Sequence, residues 1–260
     1  MISERFSGEN GEHPGRTSPY WGEHVARYKF ALPYVENKTV LDVACGTGYG
    51  IGVLQDRARY VVGVDVSFDA LTIAKHECGD RSAILSGDGV RLPFDDNGFD
   101  AVTSFETLEH LENRPEFLSE MRRVLKPRGV LILSTPNANY TLPVDGKPSN
   151  PFHIHEYTPE DLLTELKRFF RVSQFVGQFL SSSRRIPPFY DAQKKLPKDP
   201  VTQISLFSWK IANKLPFALR NGLSRMVWRR PFFPADDEYE FSVEGVSSAP
   251  VLIAVCENDK

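Results

Sequence analysis

"VLDVACGTGYG", Val40 to Gly50, ends an apolar run in three glycines, and its reading decides how the rest of the 260-residue chain is folded. Such a run is a buried strand, and the glycines make a tight turn that opens a helix near Tyr49 to Gln55. Similar runs recur downstream: "YVVGVDV" (60–66), "SAILSGD" (82–88), "FDAVTSF" (99–105), "GVLILSTP" (129–136), "FRVSQFVGQF" (170–179) and "PVLIAVCEN" (250–258). Helical patterns separate them. Ser67 caps a helix running to His76, and "RPEFLSEMRRVLK" is a helix closed by Pro127 and Gly129. Thr158, Pro159 and Asp161 give the N-cap, first position and capping box of another. Strands alternating with helices predict an α/β fold with crossover connections and a parallel sheet.

The glycine loop then lies at the carboxyl edge of that sheet, where doubly wound folds bind nucleotides. The dinucleotide fingerprint G-x-G-x-x-G fits poorly. Gly46 and Gly48 are in register, but Ile51 stands where the third glycine belongs and Gly50 comes one place early. A strand–helix turn with no ligand satisfies the same loop. Three acids favour a ligand: Asp42 inside the first strand, Asp65 at the end of the second and Asp88 after the third. Asp65 can accept ribose hydroxyls, Asp42 can fix loop amides and meet an ammonium group, and Asp88 can accept from an adenine amino group. Carboxylates so placed suit an adenosine with a cationic tail and repel a pyrophosphate.

The ordered series "VLDVACGTGYG", "VVGVDVS", "SGDGVRLPFDDNGFDAVTSFETLEHL" and "RRVLKPRGVLILSTPN", from Val40 to Asn137, resembles the class I S-adenosylmethionine-dependent methyltransferases. The resemblance implies a Rossmann-like, doubly wound, seven-stranded sheet whose last strand is antiparallel, with S-adenosylmethionine as cofactor. It implies Asp42, Ala44, Gly46 and Gly48 at the methionine end, Asp65 and Val66 at the ribose and adenine, Asp88 and Gly89 at the adenine edge, and Phe105 closing the site. The flanks "ERFSGE", "EHVARYKFALPYV" and "NPFHIHEYTPEDL" resemble a branch that methylates sugar hydroxyls in polysaccharide or glycoside assembly.

A sugar hydroxyl is a weak nucleophile at neutral pH and wants a base or a metal. "SFETLEHL" follows the fourth strand, and on a helical turn Glu106 would orient His110 at i, i+4. Simple packing of the pair is the other reading. His153 and His155 alternate around Ile154 before the Thr158 cap and share a face if extended. Sugar recognition, a second base, a metal site with Glu156, or hydrogen bonding within a lid are all open for them. No residue is assigned as a metal ligand, magnesium preferring oxygen donors. Tyr20, His24 and Tyr28 repeat at helical spacing as a packing stripe, with Tyr20 and Arg27 near enough in sequence to reach the cofactor.

Composition is that of a soluble globular chain, 41% apolar and 25% charged, with no run long enough to span a membrane and a polar N-terminus unlike a signal peptide. Cys45, Cys78 and Cys256 form neither a disulfide framework nor a metal spacing, which fits a cytoplasmic location. One domain is expected: residues 1–38 a helical cover, 39–180 the cofactor core, 181–235 a basic helical insertion and 236–260 the final strand. Between Ser181 and Arg230 stand 11 Lys and Arg against Asp191 and Asp199, a local net of +9 in a chain of net charge −3. The remainder is −12. Apolar residues Ile204, Phe207, Ile211, Leu215, Leu219, Leu223 and Met226 form one helical face broken at Pro216, with Trp209 and Trp228 near its ends. Packing on the sheet domain, a homodimer contact and a peripheral contact of 201–230 with the inner face of an anionic membrane all fit it. Nucleic acid lacks a matching module. The expected activity is methyl transfer to a hydroxyl of a small-molecule or glycan acceptor. Methylation of a quinone or polyketide-like hydroxyl, or a non-catalytic cofactor-binding role, are its rivals.

Overall fold

Alternating side-chain direction along the strands gives the sheet two apolar faces, and helices cover both. The computed structural model describes residues 17–260 except 77, 144, 146, 149, 185 and 189. "ERFSGE" lies outside the described residues. The strands are β1 (Thr39–Val43), β2 (Tyr60–Asp65), β3 (Ser82–Ser86), β4 (Phe99–Phe105), β5 (Leu125–Pro136), β6 (Arg171–Leu180), β7 (Tyr239–Ser242) and β8 (Val251–Glu257). Their order in one sheet is β3-β2-β1-β4-β5-β8-β6-β7. Strands β1 to β5 pair in parallel, and β8 runs antiparallel to both β5 and β6. The last strand is therefore antiparallel as expected, but the sheet has eight strands. The addition is β7, "YEFS", too short and too polar to show in the sequence pattern.

On one face, Leu41, Val43, Val62 and Val64 pack with Phe117, Leu118 and Met121 of α4 (Arg114–Val124) and with Leu162 and Leu166 of α6 (Pro159–Leu166). On the other, Val40 and Val61 pack with residues of α1 (Trp21–Val35), α2 (Tyr49–Leu54) and α3 (Phe68–Ala74). The short α5 (Ala138–Thr141) opens the loop after β5. Ser67 caps α3 by accepting from the Ala70 amide, and Thr158 caps α6 by accepting from that of Asp161. The expected capping box at α6 is altered, since the Asp161 carboxylate accepts from the Thr158 hydroxyl at 2.7 Å. Helix α4 stops at Val124, so Pro127 and Gly129 belong to β5. There the register slips between the β4 residues Phe99 and Ala101, and Arg128 takes a φ of 61°.

The chain divides into two compact units. Residues 27–179 and 241–260 make the sheet unit, and 180–240 join the described residues 17–26 in the other. The second unit holds α7 (Tyr190–Lys194), α8 (Pro200–Ala212) and α9 (Phe217–Trp228). The apolar stripe is thus two helices, broken between Asn213 and Pro216. Arg184 holds this unit together: its guanidinium bonds Glu238 at 2.6 Å and donates to the carbonyls of Pro231, Phe232 and Phe233. Arg220, half-buried, lies over the rings of Phe217, Phe232 and Phe233 and donates to Asn213. No helix among the described residues is long and apolar enough to cross a membrane.

In the sheet unit, the fully buried Asp42 ties α1 to the strands. It accepts from the Tyr28 hydroxyl at 3.1 Å and from Thr103 Oγ1 at 2.7 Å. These hydroxyls, not loop amides, are the partners the structure gives it. Burial pushes its carboxyl up to about 7, against the lowering effect of the two hydroxyls. A folded-state value above that of the unfolded chain means the native state keeps a proton that the unfolded state has released. This site therefore costs stability progressively as pH rises from about 4 to 7. Urea unfolding should show the wild type losing about 1 kcal/mol or more between pH 5 and pH 8 that Asp42→Asn does not lose. Parallel pH profiles for the two proteins would contradict the assignment.

Candidate functional site at the carboxyl edge of the sheet

The strand order reverses between β1 and β4, so the loops leaving these strands diverge and open a crevice. Three residues of the first loop sit in the left-handed region: Ala44 at φ 60°, Gly46 at 55° and Gly48 at 80°. A β-carbon on Gly48 would come 2.7 Å from that of Ala74, so this glycine lets α2 lie against α3. A β-carbon on Gly46 would meet nothing within 4 Å. That side of the loop is open to an approaching ligand. Gly50, the glycine out of register with the dinucleotide fingerprint, is explained by packing, because its β-carbon would fall 2.0 Å from Cζ of Tyr28.

Asp65 fastens this loop. Its Oδ2 accepts from the Gly46 amide at 2.9 Å and its Oδ1 from the Ser67 amide at 2.8 Å. A carboxylate at this strand end is the acceptor type that a ribose diol requires. Beside it Val66 and Phe68 are 62% and 73% exposed, apolar surface next to a polar handle. Phe68 was not legible as a site residue; its one signal is an aromatic where the polar start of a capped helix is expected. Asp88 is exposed and accepts from the Val90 amide at 3.0 Å. Gly89 lies against the core, where a β-carbon would come 2.7 Å from Phe117 and 3.1 Å from Val43. Phe105 is buried, its ring edge-on to Tyr28 with centroids 4.8 Å apart. The donor set fits an adenosine with a cationic tail. A strand-end carboxylate, exposed apolar surface and an open backbone sit together, beside the buried acid Asp42.

The segment after β4 departs from the helical turn expected for it. Glu106 has φ 51°, and a 3-10 turn covers only Leu108–His110. Glu106 Oε1 accepts from Ser134 Oγ at 2.7 Å and lies 3.4 Å from the Arg27 guanidinium. The carboxylate paired with His110 is Glu109, whose Oε1 is 3.9 Å from His110 Nε2. Glu109 is fully buried, and its Oε2 accepts from Thr135 Oγ1 at 2.9 Å. Burial, then the Glu106 charge, raises its carboxyl well above the ordinary range. Glu109 escaped the sequence reading because only the 3-10 turn, with Leu108 and Leu111 on either side, carries it inward.

Main-chain bonds join this turn to the loop after β5. The Glu109 carbonyl accepts from the amides of Ile154 and His155, and His110 Nδ1 is 2.9 Å from the Phe152 carbonyl. That contact makes Nδ1 the donor and leaves Nε2 with the lone pair. The His153 ring stands edge-on to His110 at 4.9 Å, with Nδ1 2.7 Å from Glu156 and Nε2 2.9 Å from Asn150 Nδ2. His155 turns elsewhere. It packs edge-on to Tyr157 at 4.5 Å, and burial followed by the Arg114 charge lowers its pKa. The two histidines therefore serve different neighbours, because residues 151–157 turn rather than extend.

Residues 41–133 match the family model described as Methyltransferase domain. The chain is 36% identical over 163 residues to a Mycolicibacterium smegmatis protein named probable S-adenosylmethionine-dependent methyltransferase, a match spanning 62% of this chain and 63% of the relative. It is 39% identical over 104 residues to the demethylmenaquinone methyltransferase of Renibacterium salmoninarum, covering 40% of this chain and 44% of that one. The match thus spans less than two-thirds of either relative's length. An S-adenosylmethionine-dependent methyltransferase from Mesorhizobium loti shares the fold, with a TM-score of 0.53 at 16% identity over 92% of this chain and 98% of that one. Residues 41–133 thus resemble a methyltransferase domain, and the relatives' names point to S-adenosylmethionine as the methyl donor.

Proposed function

We propose that the protein transfers a methyl group from S-adenosylmethionine to a hydroxyl of a sugar or glycan intermediate. The observation that carries this reading is the polar cluster of Glu109, His110 and His153 at the same sheet edge as the Gly46–Asp65 loop. When bound, S-adenosylmethionine supplies an electrophilic methyl on a sulfonium sulfur. Asp65 accepts the ribose hydroxyls while it holds the loop, and Val66 and Phe68 cover the adenine. Asp42 offers negative charge beneath the ammonium end. His110, fixed at Nδ1 by the Phe152 carbonyl, takes the proton of the acceptor hydroxyl on Nε2. The acceptor oxygen then forms its bond to the methyl carbon as the carbon–sulfur bond breaks, and the sulfur leaves with that electron pair. A crevice lined by imidazole, carboxylate and carboxamide groups suits a polyhydroxyl acceptor. A quinone-type hydroxyl is the second reading, favoured by the demethylmenaquinone methyltransferase relative.

Incubation with S-adenosylmethionine and a panel of glycosides and hydroquinones should release S-adenosylhomocysteine with one class only. Asp65→Ala should weaken cofactor binding by about 1.5–3 kcal/mol in calorimetry, the value of hydrogen bonds to a charged group. His110→Ala should lower turnover by about 10²–10⁴ with cofactor affinity kept. Turnover within a few-fold of wild type in His110→Ala would remove the imidazole from proton transfer.

A further inference from the structure

The side chains of Glu109, His110 and His153 offer ligand atoms that all lie within 4.8 Å of one another. We infer that this cluster is a binding site for a divalent transition-metal ion that holds and polarises the acceptor hydroxyl. The inference rests on the methyltransferase reading for its use, but on geometry for its existence.

Two features single the cluster out. First, Glu109 Oε1 is fully buried, makes no hydrogen bond, and faces His110 Nε2 at 3.9 Å. Leaving a carboxylate oxygen buried without a partner is costly, and a cation between it and the imidazole removes that cost. Ligands about 2.0–2.2 Å from one ion can lie up to about 4.3 Å apart, so 3.9 Å admits an ion between them. Second, both histidines are fastened from behind. His110 Nδ1 meets the Phe152 carbonyl, and His153 Nδ1 meets Glu156, which itself accepts from the Thr141 hydroxyl. A backbone carbonyl or a carboxylate on the far nitrogen is the support that metal-bound imidazoles have. Asn150 Nδ2, now 2.9 Å from His153 Nε2, must yield that lone pair to the ion.

Two imidazoles and one carboxylate select zinc, manganese or a similar ion over magnesium, which prefers oxygen. The same count of three protein ligands leaves coordination positions for a substrate oxygen. With the ion bound, His110 Nε2 is a ligand in place of the base: a hydroxyl coordinated there ionises more readily, its proton passing to solvent water, and Glu109 keeps its charge because the ion compensates it.

The test is metal binding itself. Full-length protein, stripped with a chelator and dialysed, is titrated with Mn²⁺ by electron paramagnetic resonance and with Zn²⁺ by calorimetry. One ion per chain is expected, with Zn²⁺ displacing Mn²⁺. Glu109→Gln and His153→Ala should weaken binding at least tenfold, and Glu156→Gln about 10–100-fold as a supporting group. Unchanged affinity for S-adenosylmethionine in each variant shows that it is folded. Absence of stoichiometric binding by the wild type, or equal binding by all variants, overturns the site. Methyl transfer that depends on His110 in a protein binding no metal defeats this inference and leaves the proposed function. Stoichiometric metal with no methyl transfer to any hydroxyl does the reverse.

A different observation carries a second inference. On α8 and α9 the apolar positions Ile204, Phe207, Ile211, Leu223, Met226 and Trp228 are 41–74% exposed, so the stripe read from the sequence is an open face. Residues 200–230 contain six Lys and Arg and no acid, and Lys210, Lys214, Arg225 and Arg229 are exposed among the apolar groups. We propose that this face binds the surface of an anionic bilayer. Apolar side chains enter the headgroup boundary while the cations meet lipid phosphates. A second copy meeting this face with its own would bring the same excess of cations and be repelled. Flotation with phosphatidylcholine–phosphatidylglycerol vesicles should recover the protein at low salt. Recovery should fall several-fold at high salt, with phosphatidylcholine alone, and in a Phe207→Ser, Met226→Ser, Trp228→Ser variant, whose exposed substitutions leave folding intact. Protein that stays with the soluble fraction at low salt overturns it. So does a dimer in ultracentrifugation that the same variant dissociates.

Discussion

The carboxylate of Asp65 is the point on which this sheet edge depends. A chain leaving β1 has to turn at once into α2, and it does so through three left-handed residues, Ala44, Gly46 and Gly48. Such a turn holds one shape only if its amides are fixed, and Asp65 fixes the Gly46 amide with one oxygen and the start of α3 with the other. One side chain at the end of β2 thereby sets two loops at once. What those loops could hold follows from what they present: the Asp65 carboxylate, the open side of Gly46, and the exposed faces of Val66 and Phe68.

Across the crevice the chemistry is set by a different constraint. Glu106 stands in the left-handed region immediately after β4, so the chain enters a 3-10 turn instead of a helix. That turn buries Glu109 and presents His110, and its carbonyl receives the amides of Ile154 and His155. The loop after β5 is thus stitched to the loop after β4 by backbone bonds, which brings His153 to His110 although 43 residues separate them. A buried acid and two imidazoles placed by main-chain contacts form a site whose geometry does not depend on flexible side chains finding one another.

Patterns of local origin were legible in the sequence. Strand alternation, the Ser67 and Thr158 caps and the glycine turn all follow from residues close along the chain, and the structure has them. Features set by tertiary contact were not. The close approach of Gly50 to Tyr28 and of Gly89 to Phe117 involves residues distant in sequence, which no local pattern shows. Asp42 was read against loop amides, whereas α1 supplies Tyr28 as its partner. Glu106 looked right for His110 on helical spacing, and one left-handed φ angle gave that place to Glu109. The stripe on α8 and α9 shows the limit from the other side: its periodicity was plain, but periodicity alone does not say what faces it.

The central claim is that this carboxyl edge holds S-adenosylmethionine through Asp65 and the open side of Gly46. A crystal structure with S-adenosylhomocysteine bound tests it most directly. The account predicts the ribose hydroxyls on Asp65, the adenine against Val66 and Phe68, and the chain of the ligand passing over Gly46. A ligand seated elsewhere, with its ribose away from Asp65, would contradict it.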